Sequence, residues 1–126
     1  MKTFKEFIND KYELRVTKST HHIFIEVFNN NSSIAKATLR TEPEERGVWL
    51  TEMYIYPAHR GQHLFSILMK QIDKIYKEIQ KPIYLRVWGY EDKPKKDIEL
   101  INMYSHFGFK QIPNKPVGYM VKNENV

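Results

Sequence analysis

The sequence predicts a mixed α/β fold: its pattern gives a largely antiparallel sheet with one βαβ crossover and two main helices packed on it. Three observations carry this expectation. The first half alternates apolar and polar residues in short runs, close enough together for a meander. After Pro57 the spacing changes to three and four residues, as an amphipathic helix requires. A second helical stretch and two short strands then close the chain.

Taken in order, TFKEFIND reads as a short helix with Thr3 as its cap and Phe4, Phe7 and Ile8 as its inner face. YELRVTKS alternates and is a strand. In HHIFIEVFNN, Ile23, Ile25 and Val27 face one side, Phe24 and Phe28 the other. Asn29 to Asn31 make a turn. SSIAKATLRTE and GVWLTEMYIYP continue the antiparallel meander. Leu64, Ile67, Leu68, Gln71, Ile72, Ile75, Tyr76 and Ile79 set a helix that ends near Gln80, before Pro82. PIYLRVWG follows as a strand, and a right-handed crossover places it parallel to GVWLTEMYIYP. DIELINMYSHF is a second helix, with Asp97 as cap and Gly108 as its left-handed stop. GFKQIP and GYMVKNE are the last strands.

A chain of 126 residues supports one hydrophobic core, so residues 1–126 read as a single domain. Its 41% hydrophobic content argues against disorder. The absence of cysteine excludes disulfides, a thiol nucleophile and thiolate metal sites. The N-terminal MKTFKEFINDKYELRV is too charged for a signal sequence, and no apolar run reaches membrane-spanning length. The expected location is cytoplasmic, with no membrane partner. A net charge of +5 suits an anionic ligand or nucleic acid, with Lys93, Lys95 and Lys96 the one dense group. A solvated lysine-rich surface explains the same charge.

The stretch MYIYPAHRGQHLFSILMKQ holds a turn between a strand and a helix. The first N–H groups of that helix lack intrahelical acceptors and lie at the positive end of its dipole, where phosphate binds. Arg60 adds a charge, and Gly61 permits close backbone approach. Arg-Gly turns also occur with no ligand at all.

On these residues, LTEMYIYPAHRGQHLFSILMKQI resembles the acyl-CoA binding segment of the GNAT N-acetyltransferases. In that family the turn reads Arg or Gln, two residues, Gly, one residue, then Gly or Ala. Here His63 stands at the first glycine and Phe65 at the second small residue. DIELINMYSHFGFKQI resembles the family's late helix through Met103, Tyr104, Ser105, His106, Phe107, Gly108 and Phe109. The resemblance runs from about Ile23 to Val121. It implies an acyl-CoA-dependent N-acyltransferase, with acetyl-CoA as co-substrate and a primary amine as acceptor. It also implies that Met53, Tyr54, Ile55, Arg60, Gly61, Gln62, His63, Leu64, Phe65 and Ser66 hold the cofactor. Tyr104 would protonate the leaving thiolate, Glu52 would accept the amine proton, and backbone N–H groups around Met53 to Ile55 would hold the oxyanion.

Each assignment has a plain structural alternative. Tyr104 can simply pack with Leu100, Ile101 and Phe107. Regular alternation puts Glu52 on one face with Leu50, Tyr54 and Tyr56, where it can be an exposed carboxylate paired with Lys or Arg. Glu42, Glu44, Glu45 and Glu91 are loop alternatives as base. If His63 sits in right-handed helical geometry its N–H can still point at a phosphate, with its imidazole turned away or touching the ligand. His59 and His63 are four apart, too few ligands for a metal site, so none is expected.

Members of the family usually carry two helices between their first and second strands, which roof the acceptor pocket. Here YELRVTKS and HHIFIEVF are almost contiguous, leaving no room for them. A roofless pocket suits part of a large acceptor, protein or nucleic acid, unless the KPKKD loop or a second subunit covers it. Two other classes stay open: a non-catalytic binding module, favoured by His63 and Phe65, and a nucleic-acid-directed enzyme, favoured by the lysines with Trp88 and Tyr90 beside them.

Overall fold

The computed structural model describes residues 2–8, 11–41, 47–61, 63–87 and 97–123. Five strands form an antiparallel meander: β1 (Lys2–Phe7), β2 (Glu13–Lys18), β3 (His22–Asn29), β4 (Ser32–Thr41) and β5 (Val48–Ile55). Helix α1 (Leu64–Ile79) then crosses to β6 (Ile83–Arg86), which is parallel to β5 as the crossover rule requires. After α2 (Asp97–His106), β7 (Lys110–Gln111) and β8 (Tyr119–Lys122) complete one eight-stranded sheet in the order β1-β2-β3-β4-β5-β6-β8-β7.

The N-terminal segment departs from expectation, because it is a strand and not a helix. An isolated helix of so few residues is marginal in water. Thr3, Phe4 and Phe7 instead suit an extended chain, and β2 offers an edge to pair with. Thr3 and Thr17 join their hydroxyls across that pair at 3.0 Å, and the Ile8 N–H donates to the Tyr12 carbonyl at 2.9 Å. The intended inner face is not inward: Phe4 is 58% and Phe7 78% exposed.

Other elements follow their sequence signals. Asn30 and Asn31 both take positive φ (51° and 67°), the conformation that a two-residue hairpin needs to match strand twist. Helix α1 buries Leu64, Leu68, Ile72, Ile75 and Tyr76 on one stripe and stops at Ile79, where Gln80 turns left-handed before Pro82. Gly108, at φ 92°, stops α2 in the same way. Both helices share one hydrophobic core, built on the sheet face that carries Ile23, Ile25 and Val27. The opposite face, with Phe24 and Phe28, is only half-buried. Residues 19–21 link β2 to β3 directly, so among the described residues no helix covers that face.

One register irregularity matters for the site. Thr38 pairs with Glu52 and Leu39 with Leu50, which leaves Thr51 as an extra residue in β5. The Thr51 hydroxyl donates to the Thr38 carbonyl at 3.3 Å and pins the bulge. Regular alternation is therefore overturned: Leu50 is buried with the core, Glu52 is exposed on the opposite face, and Ile55 returns to the core.

At the far side Lys122 of β8 is buried among the helices. Its ammonium meets Asp73 of α1 at 3.0 Å, donates to the Phe107 carbonyl just past α2, and lies 5.3 Å from the Tyr76 ring. Burial alone would raise the Asp73 carboxyl, but hydrogen bonds from Lys122 and Lys77 outweigh it and hold the group below its usual 3.8. A depressed carboxyl stabilises the fold above its unfolded value and loses that contribution as pH falls through the folded one. Asp73→Asn should cost about 2 to 3 kcal/mol in denaturant unfolding at neutral pH, the low side for a buried pair because Asp73 keeps part of its surface in water. The gap to the wild type should narrow from about pH 4 downward; a constant gap would assign the loss to packing.

Candidate functional site

The site begins where β5 leaves β6. Among the described residues only Val48 with Ile83 and Trp49 with Tyr84 are paired, and β5 then runs on to Ile55 paired with β4 alone. The chain continues through Tyr56 into a single helical turn at Pro57–His59, passes Arg60 and Gly61, and enters α1. Arg60 acts as a strut across this turn: its Nε donates to the Ile55 carbonyl at 2.8 Å, and its guanidinium lies 5.4 Å from the Tyr54 ring. Gly61 sits at φ 85°, with open space where a Cβ would stand, so conformation and not crowding asks for glycine there.

His63 is the N-cap residue of α1 and takes the left-handed conformation, φ 63° and ψ 17°. The right-handed alternative for His63 is therefore not the one adopted. The imidazole is exposed and makes no capping bond. The first helical bond runs from the Ile67 N–H to the His63 carbonyl at 3.2 Å. The N–H groups of Leu64, Phe65 and Ser66 thus precede the ladder, and the first turn contains no acidic residue.

These N–H groups border a cleft of about 580 Å³ between the start of α1 and α2. Ile55, Arg60, Gly61, His63, Leu64, Phe65 and Ser66 line it, so seven of the ten expected cofactor residues are brought together. Met53 and Tyr54 stay on β5 outside that lining, Met53 packed against the core and Tyr54 edge-on to Tyr56 at 5.1 Å. Gln62 lies outside the described residues, as do Glu42, Glu44, Glu45, Trp88, Tyr90, Glu91, Lys93, Lys95, Lys96 and the side chain of Asp97. The far wall, from Asn102, Met103, His106 and Phe107 of α2 and its end, went unread in the sequence. Its signal was the helical spacing of residues 103, 106 and 107 on one face.

Phe65 does not obstruct the turn. Its ring points back to α2, edge-on to Tyr104 at 5.2 Å and to Phe107 at 6.0 Å. Tyr104 is buried behind it, also edge-on to Phe109 at 5.8 Å, and does not line the cleft. Glu52 lies on the opposite face of the sheet, ion-paired with Lys36 at 3.5 Å and accepting from the Thr38 hydroxyl at 3.2 Å. The two residues expected to handle protons therefore stand on opposite faces, with the parting of β5 and β6 between those faces.

Phosphates fit this turn on its own evidence: uncapped N–H groups, a guanidinium close by and no carboxylate in the first turn. The family model described as the Acetyltransferase (GNAT) family matches residues 2–109. The chain belongs to the GNAT acetyltransferase family. It is 33% identical over 95 residues to proteins named tRNA(Met) cytidine acetate ligase from Thermoanaerobacter sp. (strain X514) and Thermoanaerobacter pseudethanolicus (strain ATCC 33223 / 39E). That match covers 75% of this chain and 24% of each relative, so the chain spans about a quarter of their length. Among solved structures, PaiA N-acetyltransferase from Thermoplasma acidophilum, in complex with coenzyme A, superposes with a TM-score of 0.61 at 16% identity, over 82% of this chain and 60% of that one. The anti-CRISPR protein AcrVA5 gives 0.63 at 20% identity, over 80% and 96%. The ribosomal-protein-S18-alanine N-acetyltransferase of Escherichia coli gives 0.60 at 16%, over 82% and 66%. At these identities the structures establish the shared GNAT fold.

The backbone of His63 generates a stability test. Relief of the left-handed strain is worth about 1 to 2 kcal/mol, while glycine loosens the unfolded chain by about 0.4 to 1 kcal/mol. Relief wins narrowly, and the helix-interior cost of glycine does not apply at an N-cap. His63→Gly should raise the thermal midpoint by roughly 2 °C. A fall of several degrees would mean that the imidazole contributes more than the backbone strain costs.

Proposed function

We propose that this chain is an acyl-CoA-dependent N-acyltransferase that moves acetyl from acetyl-CoA to a primary amine, with residues 1–126 acting as one domain in the cytoplasm. The observation that carries the reading is the uncapped first turn of α1 at the mouth of the cleft beside the parted strands. The N–H groups of Leu64, Phe65 and Ser66 receive the pyrophosphate, and Arg60 holds the turn in shape and adds its charge. Coenzyme A bound to PaiA, which has the same fold, supports this choice of co-substrate.

Acyl-CoA supplies an acyl carbon already activated as a thioester. The amine nitrogen forms its bond to that carbon as the carbon–sulfur bond breaks. Main-chain N–H groups of β5 around Met53 to Ile55 receive the charge that develops on the carbonyl oxygen. Glu52 takes the proton released by the amine, directly or through water, and Tyr104 gives one to the departing thiolate. A large acceptor suits the uncovered face. Among the chain's relatives and neighbours are proteins named for a tRNA and for a ribosomal protein, which supports acceptors of that size.

Two measurements test the reading. Calorimetric titration should show acetyl-CoA binding, and Arg60→Ala should weaken it by about 1.5 to 3 kcal/mol; no binding by the wild type would end the proposal. Tyr104→Phe keeps the ring that packs on Phe65 and Phe109 and removes only the hydroxyl. It should lower turnover about a hundredfold with CoA affinity unchanged, and full activity would make Tyr104 a packing residue.

A further inference from the structure

The sheet face turned away from the helices holds a primary amine beside the carboxylate that the acyltransferase reading makes its base. Lys36 of β4 stands opposite Tyr54 of β5, and Thr38 opposite Glu52, so Glu52 is the diagonal neighbour of Lys36 on one face. The Lys36 ammonium meets one Glu52 oxygen at 3.5 Å. The other oxygen accepts from the Thr38 hydroxyl at 3.2 Å, which holds the carboxylate in place. The bulge makes this meeting possible: without the extra residue at Thr51, Glu52 would share the core face with Leu50.

Tyr54 is also the middle of the Met53–Ile55 segment whose main-chain N–H groups are assigned to the thioester oxygen. One strand spacing, about 4.8 Å, therefore separates the backbone of Lys36 from that segment. On its other side Lys36 stands opposite Glu26 of β3, which accepts from the Ser33 hydroxyl at 3.0 Å. Lys18, Lys77 and Lys122 pair instead with Glu78 and Asp73 of α1. The Lys36 and Glu52 side chains are 35% and 44% exposed, and an ion pair that keeps so much contact with water is weak. The flexible lysine stem lets the head leave the carboxylate and turn across β5.

We propose that Lys36 is an acyl acceptor built into the chain, acetylated at this site when no other amine occupies it. The proposal rests on the acyltransferase reading. Glu52 takes one proton from the ammonium, the freed Nζ forms its bond to the thioester carbonyl carbon, and the carbon–sulfur bond breaks. The nitrogen gives up a second proton as the departing thiolate takes one. The products are acetylated Lys36 and free coenzyme A. Acetylation removes the positive charge of Lys36 and so ends its pairing with Glu52.

The test incubates the full chain with acetyl-CoA and no added amine, then locates acetyl groups by intact mass and peptide mapping. Lys36 should be acetylated about tenfold or more faster than any other lysine, at a rate per chain that does not change with protein concentration. Lys36→Arg keeps a cation beside Glu52 and should lose the fast acetyl group. Glu52→Gln supplies a difference in sign. Removing a carboxylate beside an ammonium favours the free amine, so an unassisted reaction would quicken, whereas the assisted one should slow about a hundredfold with acetyl-CoA affinity unchanged. Acetylation of Lys36 no faster than of other lysines, a rate that rises with protein concentration, or quickening in Glu52→Gln each overturns the proposal. Calorimetric binding of acetyl-CoA with Lys36 left unmodified removes this acceptor and leaves the cofactor site standing, while absence of binding removes both.

Discussion

The parting of β5 from β6 is the constraint on which the rest of the molecule depends. Two parallel pairs hold these strands, and past Trp49 and Tyr84 their ladder ends. A central strand that gives up a ladder on one side leaves main-chain donors and acceptors in need of other partners, water or ligand. The cause is local. Thr51 is one residue too many opposite Thr38 and Leu39, and a bulge bends its strand and increases its twist. Helix α1 then starts within a few residues of the end of β5, so the same bend that opens the sheet aims the helix N-terminus at the opening. Strand edge and helix terminus thereby face one cleft. The arrangement needs no charged cage, because most of the polar groups on offer are main-chain.

Opening a sheet beside two helices requires the helices to be fixed from the other side. Lys122 does this by reaching Asp73 in α1 and the carbonyl of Phe107 beyond α2 from a single buried ammonium. Desolvating that ammonium is costly, and only the combination of a carboxylate, a carbonyl and the flanking Tyr76 and Phe109 rings offsets it. Phe65 completes the brace nearer the cleft, filling the gap between α1 and α2 with rings where relatives use a small residue. Its bulk is accommodated because its ring turns toward α2, away from the uncapped N–H groups that open α1.

Most of the fold was legible in period alone. The switch from twofold to helical spacing after Pro57 located α1 within a residue, and the crossover rule then fixed β5 and β6 as parallel. The N-terminal strand was misread because Phe4, Phe7 and Ile8 also match helical spacing, and only an available edge on β2 decides between the two forms. The bulge was harder. Its trace is the slip from Leu50 through Thr51 and Glu52 to Met53, two polar residues in succession where alternation allows one. That slip puts Glu52 on the face opposite Leu50, so regular alternation assigned it the wrong neighbour. For His63, sequence spacing could not supply the dihedral: φ is 63° there, a conformation that favours glycine and that no periodicity reveals.

The absence of helices between β2 and β3 changes what the outer face must do. Among the described residues no helix covers this ring-rich sheet face, and contiguous apolar surface tends to mark contact with another molecule. Here the rings do not form such a patch. Arg15 lies 3.8 Å from the Phe28 ring, Arg86 covers Tyr119, and Lys36, Arg40 and Glu52 separate the remaining aromatics. The direct link from β2 to β3 therefore does not uncover a core; it leaves a face on which charged side chains interrupt the rings.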